Sequence, residues 1–249
     1  MAARRPVRRV IAWLSRRMDR PELLAAFYPG ARRALREEIA IEAILAATLG
    51  SEGTYVDVGT NRGQLLEIAV RTAPAGEHVA FEPLPDLAAE VQARFPRVDV
   101  RRVALSDRPG THEFWHFRRL DGWSGLRRSD QISDEAGDPE RIEVPVATLD
   151  AELGDRRPAL VKIDVEGGEL GVLQGGRELL RRAKPVLIVE CVAAAAALYD
   201  SSPAAVWDLL DELGYDLLAV TGGPPIGRAE LGGDETAVNF LARPRESQP

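Results

Sequence analysis

From Thr54 onward, short apolar runs alternate with stretches in which apolar residues recur at helical spacing. The apolar runs predict buried strands, and we predict helices at residues 63–72 and in a stretch that begins near Pro85. Strands that alternate with helices form a parallel sheet that helices cover on both faces. The predicted core strands are residues 54–58, 78–82, 98–103, 160–164 and 186–190.

Further segments complete the predicted architecture. Residues 111–117 and 141–147 are predicted to form a hairpin that precedes the fourth core strand. Residues 214–220 and 236–242 are predicted to close the sheet as an antiparallel pair. The region 118–140 is polar and has no periodicity, which is typical of a loop or a lid.

The chain has 249 residues, of which 45% are hydrophobic and 29% charged, as in a globular protein. Its length fits either one large domain or a domain with an appendage. We predict a helical N-terminal extension, residues 1–50, and a main domain, residues 51–249. Cys191 is the single cysteine, which excludes a disulfide framework and a multi-cysteine zinc site. No apolar run approaches the roughly 20 residues that cross a bilayer, and we expect no secretory signal and a cytoplasmic protein.

Charge is concentrated at the N-terminus. Residues 1–36 carry ten arginines and two acidic residues, a net charge of +8, which leaves −15 on the rest of a chain of net charge −7. Val7, Ile11 and Leu14 recur beneath that charge at helical spacing. Such a helix can cover its own domain, join two copies as a homodimer or make peripheral contact with an anionic membrane. We expect docking or dimerisation, and no nucleic-acid partner, because the acidic body repels phosphates.

The first core strand ends in a glycine-containing loop, Asp57-Val58-Gly59-Thr60-Asn61-Arg62-Gly63. Ligands of open α/β sheets bind beyond the carboxyl ends of the strands, at the switch point of the strand order. The loop is not the dinucleotide fingerprint, because Asn61 occupies the middle glycine position and the third glycine is missing. Asp57 favours a cationic or amino-bearing ligand over a phosphate. An ordinary strand-to-helix turn is the alternative.

The next strands also end in polar residues. Glu82 lies 23 residues beyond Gly59, at a spacing where a carboxylate accepts hydrogen bonds from both ribose hydroxyls. Ala104, Ser106 and Asp107 follow the third strand and could frame an adenine ring, although a simple turn explains them equally well.

Three carboxylates follow the fourth core strand, in front of Gly167 and Gly168. They are Asp164, Glu166 and Glu169. Packing alone does not explain so many carboxylates at one strand end, and Glu169 is the member best explained as a helix cap. Lys162, within the same strand, is expected to pair with a nearby carboxylate.

Several of these motifs, in this order, resemble the FkbM family of S-adenosylmethionine-dependent methyltransferases. The resemblance spans roughly residues 50–242. It is carried by Asp57 to Gly63, Phe81-Glu82-Pro83, Ala104 to Asp107, Lys162 to Glu169, Val189-Glu190, Leu213-Gly214-Tyr215 and Val238 to Leu241. It implies the class I methyltransferase fold: a Rossmann-like α/β structure with a mostly parallel seven-stranded sheet, helices on both faces and an antiparallel last strand.

The resemblance also implies a cofactor, S-adenosylmethionine, and the product S-adenosylhomocysteine. Asp57, Gly59, Asn61 and Gly63 would surround its methionine portion, and Glu82 would hold the ribose. Ala104, Ser106 and Asp107 would border the adenine, and Asp164 would face the methyl-transfer centre. The chain departs from the family pattern at Arg62, where an apolar residue is expected, and at Cys191-Val192, where a polar residue or histidine often follows the strand.

The implied reaction is methyl transfer to a hydroxyl of a small molecule, sugar or natural product. A general base speeds such a step about 10²–10⁴-fold. Asp164 and Glu190 are the candidate bases, or they position the acceptor, or they share a divalent cation. His116 is a third candidate base, unless it is simply an exposed strand histidine. The candidate contacts of the small-molecule or glycan acceptor are Trp123, Ser124 and Glu166, with Trp123 as a stacking platform or a lid anchor.

Two other functions are compatible with this sequence. A nucleotide-binding oxidoreductase is disfavoured by the missing third glycine and by Asp57 beside the phosphate position. A non-catalytic binding scaffold is disfavoured because it has no need for Asp57, Gly59, Glu82 and Asp164 together.

Overall fold

The computed structural model describes residues 29–128, 137–231 and 238–245. The strands are β1 (Tyr55–Val58), β2 (Val79–Phe81), β3 (Asp99–Arg101), β4 (Ala104–Leu105), β5 (Gly110–His116), β6 (Glu140–Ala147), β7 (Leu160–Ile163), β8 (Val186–Glu190), β9 (Tyr215–Ala219) and β10 (Asn239–Pro244). The α-helices are α1 (Pro29–Leu49), α2 (Gln64–Thr72), α3 (Pro85–Arg94), α4 (Leu149–Leu153), α5 (Glu169–Gln174), α6 (Arg177–Ala183), α7 (Ala193–Ala196) and α8 (Pro203–Glu212). Short 3₁₀ turns span Asp121–Trp123 and Ala197–Tyr199.

Seven strands form one sheet in the order β3-β2-β1-β7-β8-β10-β9. Strand β10 runs antiparallel to both of its neighbours, and the other neighbouring pairs are parallel. From β1 the chain moves outward to β2 and β3, and then returns to place β7 on the other side of β1. The structure therefore confirms the class I methyltransferase architecture, with its switch point between β1 and β7.

Both faces of the central strands are covered, which explains their nearly continuous apolar sequence. All four residues of β1 and all four of β7 are buried. Val56 and Val161 belong to the hydrophobic cluster on one face of the sheet, and Tyr55 and Leu160 to the cluster on the other. The two central strands are thereby held rigidly side by side, with their carboxyl ends at one edge.

A small second sheet, in the order β4-β6-β5, stands beside the main one. The predicted hairpin is confirmed, because β5 and β6 pair antiparallel. The predicted third strand at residues 98–103 is present but shorter: it ends at Arg101, and the residues that follow, Ala104–Leu105, pair with β6 in the second sheet. The reason is a tight turn, in which the Val103 N–H donates to the Arg101 carbonyl at 3.0 Å and redirects the chain.

Helix α1 packs on the main sheet. Ile41, Leu45 and Leu49 are buried in the same hydrophobic cluster as Tyr55. The buried Glu37 carboxylate accepts hydrogen bonds from the Arg33 Nε (2.9 Å) and the Asn239 side chain (2.9 Å). The boundary at residue 50 stays a prediction.

The proposed amphipathic arm with Val7, Ile11 and Leu14 lies outside the described residues, as do residues 129–136 of the predicted loop. Among the helices that the structure describes, none is both long and apolar enough to span a membrane.

Candidate active site

The loop between β1 and α2 forms the floor of the candidate site. Gly59 and Gly63 have positive φ angles of 78° and 71°, and Asn61 between them has φ 50°. A Cβ added to Gly59 would overlap the backbone oxygen of Asp164. The loop therefore lies directly against the turn that follows β7, at a distance that only glycine permits.

Lys162 connects the ends of the two central strands. Its ammonium group lies 3.2 Å from Oδ2 of Asp164 and 3.8 Å from Oδ1 of Asp57, and it donates to the Gly59 carbonyl at 3.3 Å. Burial lowers the pKa of Lys162, but the two carboxylates outweigh this effect and raise the pKa above its usual value. The expected pairing of Lys162 with a carboxylate is thus present, and it involves both strands.

Asp57 is fully enclosed beneath the loop. Its Oδ2 accepts a hydrogen bond from the Thr60 hydroxyl at 2.8 Å. Its Oδ1 is buried and accepts no hydrogen bond from the described residues. Burial raises the pKa of Asp57, and Lys162 opposes that effect. The Asp57 carboxylate therefore shapes the floor and retains acceptor capacity.

Glu82 follows β2 and is 5% exposed. Each of its carboxylate oxygens accepts one backbone N–H, from Asn61 at 2.9 Å and from Leu84 at 3.0 Å. Burial raises the pKa of Glu82 to about 7. The two backbone bonds connect Glu82 to the β1–α2 loop and leave lone pairs on both oxygens for further donors.

Three carboxylates meet at the ends of β7 and β8. Carboxylate oxygens of Asp164, Glu166 and Glu190 lie within 4.8 Å of one another, a spacing that a divalent cation could bridge. Glu166 has a positive φ of 60° in the turn after β7. The structure thus brings together two candidate bases and one candidate acceptor contact.

Glu169 lies beneath this trio and stabilises the turn. Its Oε1 accepts the N–H groups of Val165 and Gly167, both at 3.0 Å. Burial raises its pKa to about 7. Glu169 therefore braces the turn that carries Asp164 and Glu166, in addition to beginning α5.

The candidate adenine contacts lie beside α5. Ala104 is buried in a cluster with Leu84, two residues beyond Glu82. The Ser106 hydroxyl donates to Asp107 at 3.1 Å, and a Cβ added to Gly171 of α5 would lie 2.8 Å from that hydroxyl. Because the chain turns after Arg101, Ala104 lies in β4 of the second sheet, and Ser106 and Asp107 come directly after that strand. They do not lie at the end of the third strand of the main sheet.

Residues 117–125, which we call the roof segment, carry the remaining candidates. The hydroxyl of Ser124 is buried and accepts the Phe117 N–H at 3.0 Å, so it closes the segment. Trp123 ends the 3₁₀ turn and is partly buried. His116, at the end of β5, is 13% exposed, and its Nε2 lies 3.2 Å from Asp121. His116 is therefore not the exposed strand histidine that the alternative described.

Sequence reasoning did not single out two residues of this region. Asp121 accepts from both His116 and Arg62. Tyr199 lies under the roof segment, where a Cβ added to Gly125 would lie 3.0 Å from its hydroxyl. Burial raises the pKa of Tyr199. Neither residue stands in a recognisable motif; the one sequence signal was the Asp-Gly-Trp-Ser-Gly run that drew attention to Trp123.

The arrangement fits the cofactor that the resemblance implies. Glu82 has free acceptor positions for a ribose diol, and Gly59 lets the loop after β1 pack directly against the turn that carries Asp164. The surrounding carboxylates create a negative potential, which favours a ligand with a sulfonium and an ammonium group and opposes a pyrophosphate. Gly59, Asn61, Gly63 and Glu82 would hold this ligand, and the enclosed Asp57 would support the loop from beneath.

The chain is similar to several solved structures. The crystal structure of methyltransferase FkbM from Methylobacillus flagellatus KT is 16% identical with a TM-score of 0.48, and the match covers 78% of this chain and 44% of that chain. This chain therefore spans less than half the length of that protein. An S-adenosylmethionine-dependent O-methyltransferase from Thermotoga maritima is 12% identical with a TM-score of 0.44, covering 84% and 66%. The plantazolicin methyltransferase BpumL in complex with SAH is 10% identical with a TM-score of 0.45, covering 96% of both chains.

No curated protein sequence matches the chain. The model of the FkbM methyltransferase domain family matches residues 57–217, more than half of the chain and the whole of the site from Asp57 to Glu190. The match favours methyl transfer over the oxidoreductase and scaffold interpretations. The chain belongs to the FkbM methyltransferase domain family, and its cofactor is S-adenosylmethionine.

Proposed function

We propose that this protein methylates a hydroxyl oxygen of a small molecule, sugar or natural product. The observation that carries the proposal is the carboxylate trio of Asp164, Glu166 and Glu190 beside the Gly59 floor. When bound, S-adenosylmethionine supplies an electrophilic methyl group. An alcohol must lose its proton to accept that group, and carboxylates accept hydrogen bonds and protons from hydroxyls.

Asp164 is the residue of the trio that we assign to the reacting hydroxyl. It follows a fully buried central strand, and the Lys162 ammonium at 3.2 Å fixes one of its oxygens. The carboxylate is thus oriented before any acceptor binds, which reduces the entropic cost of reaching the reactive geometry. Its role is to hold the acceptor hydroxyl and to take up its proton.

The test is methyl transfer from labelled S-adenosylmethionine to a panel of sugars, glycolipids and polyketide-like alcohols, with mass spectrometry to place the methyl group. We expect an O-methyl product, and we expect Asp164→Asn to lower its turnover about 10²–10⁴-fold. Calorimetry with S-adenosylhomocysteine and a melting curve show whether the variant is folded and binds. The control is Asp208→Asn, which removes an exposed carboxylate that pairs with Arg228.

The outcomes separate the alternatives. A methyl group on nitrogen or carbon would contradict hydroxyl methylation. Full turnover by Asp164→Asn would transfer the role of base to Glu190 or His116. Loss of turnover in EDTA with recovery in Mg²⁺ would show that the trio holds a cation that acidifies the hydroxyl.

A further inference from the structure

The roof segment crosses the candidate site from one side to the other. It is closed by two backbone hydrogen bonds between Trp115 and Gly125, at 2.8 and 3.2 Å. At one end, a Cβ added to Gly122 would lie 3.8 Å from the side-chain nitrogen Nδ2 of Asn61. Asn61 belongs to the loop between β1 and α2, which we call the floor loop. At the other end, a Cβ added to Gly125 would lie 3.8 Å from the Glu166 side chain. The segment therefore lies close to both the floor loop and the turn that carries Asp164 and Glu166.

Asp121 stands at the centre of this crossing. Its Oδ2 accepts a hydrogen bond from the Arg62 guanidinium at 2.7 Å, and its Oδ1 lies 3.2 Å from Nε2 of His116. The side chains of Asp121 and His116 are 17% and 13% exposed. One carboxylate thus joins the floor loop, the roof segment and the second sheet.

Arg62 is itself well anchored. Its second terminal nitrogen donates to Glu90 of α3 at 2.8 Å, and its carbonyl accepts from Arg94 at 3.2 Å. Arg62 and Glu90 are each about half exposed, where a single ion pair contributes little, whereas Asp121 and His116 are mostly buried, so their contact is better ordered. A shift of the loop between β1 and α2 at Arg62 would therefore change its contact with Asp121.

The contact with Asp121 determines which nitrogen of the His116 imidazole carries the proton. An ionised carboxylate only accepts, so Nε2 of a neutral His116 carries the proton and donates it to Asp121. The lone pair then lies on Nδ1, which is the nitrogen available to take a proton. The contact with Asp121 thus selects one tautomer and one ring orientation.

We propose that Asp121 is a positioning residue that couples the loop holding the cofactor to the imidazole of His116. The inference rests on the proposed methyl transfer to a hydroxyl, for which His116 is a candidate base. In this arrangement, occupation of the floor loop is transmitted through Arg62 and Asp121 to the ring that faces the roof segment.

The first test is a double-mutant cycle on the affinity for S-adenosylhomocysteine, measured by calorimetry with the full chain. Arg62→Gln and Asp121→Asn should each weaken binding about threefold to tenfold, and the double variant should be no weaker than the poorer single variant. Glu113→Gln is the matched control, because it removes an exposed ion pair with Arg141 on the same hairpin. Melting curves establish that each variant is folded.

The second test measures the NMR signals of the His116 ring. The chain has three histidines, His78, His112 and His116, so an untagged protein gives few ring signals in an NMR spectrum. S-adenosylhomocysteine should shift the His116 signals in the wild type and in Glu113→Gln, but not in Arg62→Gln or Asp121→Asn. Arg62 is 49% exposed, so its substitution keeps the test valid even where Asp121→Asn fails to fold.

The outcomes are decisive in both directions. Additive losses in the cycle, or His116 signals that respond to S-adenosylhomocysteine without Asp121 or Arg62, would overturn the coupling. An intact coupling in a protein that methylates no hydroxyl would refute the proposed function and leave the coupling in place. Hydroxyl methylation without the coupling would support the proposed function and refute the coupling through Asp121.

Discussion

Two buried glutamates have pKa values of about 7, and burial is the main cause in both. Glu82 is oriented by the backbone N–H groups of Asn61 and Leu84, just after the end of β2. Glu169 is oriented by Val165 and Gly167 and braces a turn. The same residue type in a similar environment is therefore predicted to bind the cofactor in one case, and it stabilises a turn in the other.

Glu169→Gln should change how stability depends on pH. The folded protein keeps the Glu169 proton up to a pH of about 7, whereas the unfolded chain loses it near 4.5. The folded state thus loses stability as the pH rises from 4.5 to 7, by up to about 3 kcal/mol from this group. The amide retains an oxygen acceptor and has no such loss. The free energy of unfolding, measured in urea at pH 5, 6, 7 and 8, should fall with pH more steeply for the wild type than for the variant. An equal dependence on pH in the two proteins would contradict the prediction.

Glu82→Ala should lower the affinity for S-adenosylhomocysteine about 10- to 100-fold, because hydrogen bonds to a charged group contribute about 1.5–3 kcal/mol. Calorimetry of the folded variant measures the effect. Glu178→Ala, which removes an exposed glutamate of α6, is the control. Undiminished affinity in Glu82→Ala would remove Glu82 from the cofactor site.

At the scale of elements, the site depends on how closely two strand-end loops approach each other. The β1–α2 loop and the turn after β7 meet at Gly59 and Asp164. Their parallel strands are hydrogen-bonded neighbours, with Val58 in register with Ile163. Since parallel strands end at the same edge, this approach follows from the strand order.

Gly59→Ala should therefore be far more harmful than an alanine at an open glycine. Gly50 is a matched control, since it also has a positive φ, 55°, but an added Cβ meets no atom within 4 Å. Gly50→Ala should cost about 1–2 kcal/mol of strain. Gly59→Ala should cost at least about 3 kcal/mol, because the overlap with Asp164 is added to the strain. Chemical unfolding measures both, and equal losses would contradict a close approach.

At the scale of the whole molecule, α1 is part of the packing of the main sheet. Leu45 is fully buried against the sheet, whereas Ile39 of the same helix is 58% exposed. Glu37 additionally connects α1 to Asn239 at the start of β10, which pairs with Glu190 of the carboxylate trio. The helix thus contacts the strand that adjoins the site.

Leu45→Ala should reduce the free energy of unfolding by about 2–5 kcal/mol, because it leaves a cavity in the core. Ile39→Ala should change it by less than about 0.5 kcal/mol. Denaturant unfolding of the two variants compares them directly. A similar small loss in both would show that α1 is a detachable extension and not part of the core.

The sequence alone determined the alternation of strands and helices and the chemistry of the strand ends. Asp57, Gly59 and Glu82 were predicted to share one ligand because they lie at the ends of neighbouring strands at a recognisable spacing, and parallel strands bring their carboxyl ends together. The hairpin of β5 and β6 and the antiparallel closing strand followed from the same patterns. The break between β3 and β4 did not, because the turn after Arg101 contains no glycine or proline that would mark it in the sequence.

Only the tertiary structure decided how the second sheet and the roof segment meet the site. Asp121 contacts Arg62, 59 residues away along the chain, and His116, five residues away. Polar loops carry no hydrophobic periodicity, so their path depends on where the surrounding strands and helices leave room for them. The sequence could therefore name His116 and Trp123 as candidates, but the partner that orients His116 became visible only once the chain had folded around it.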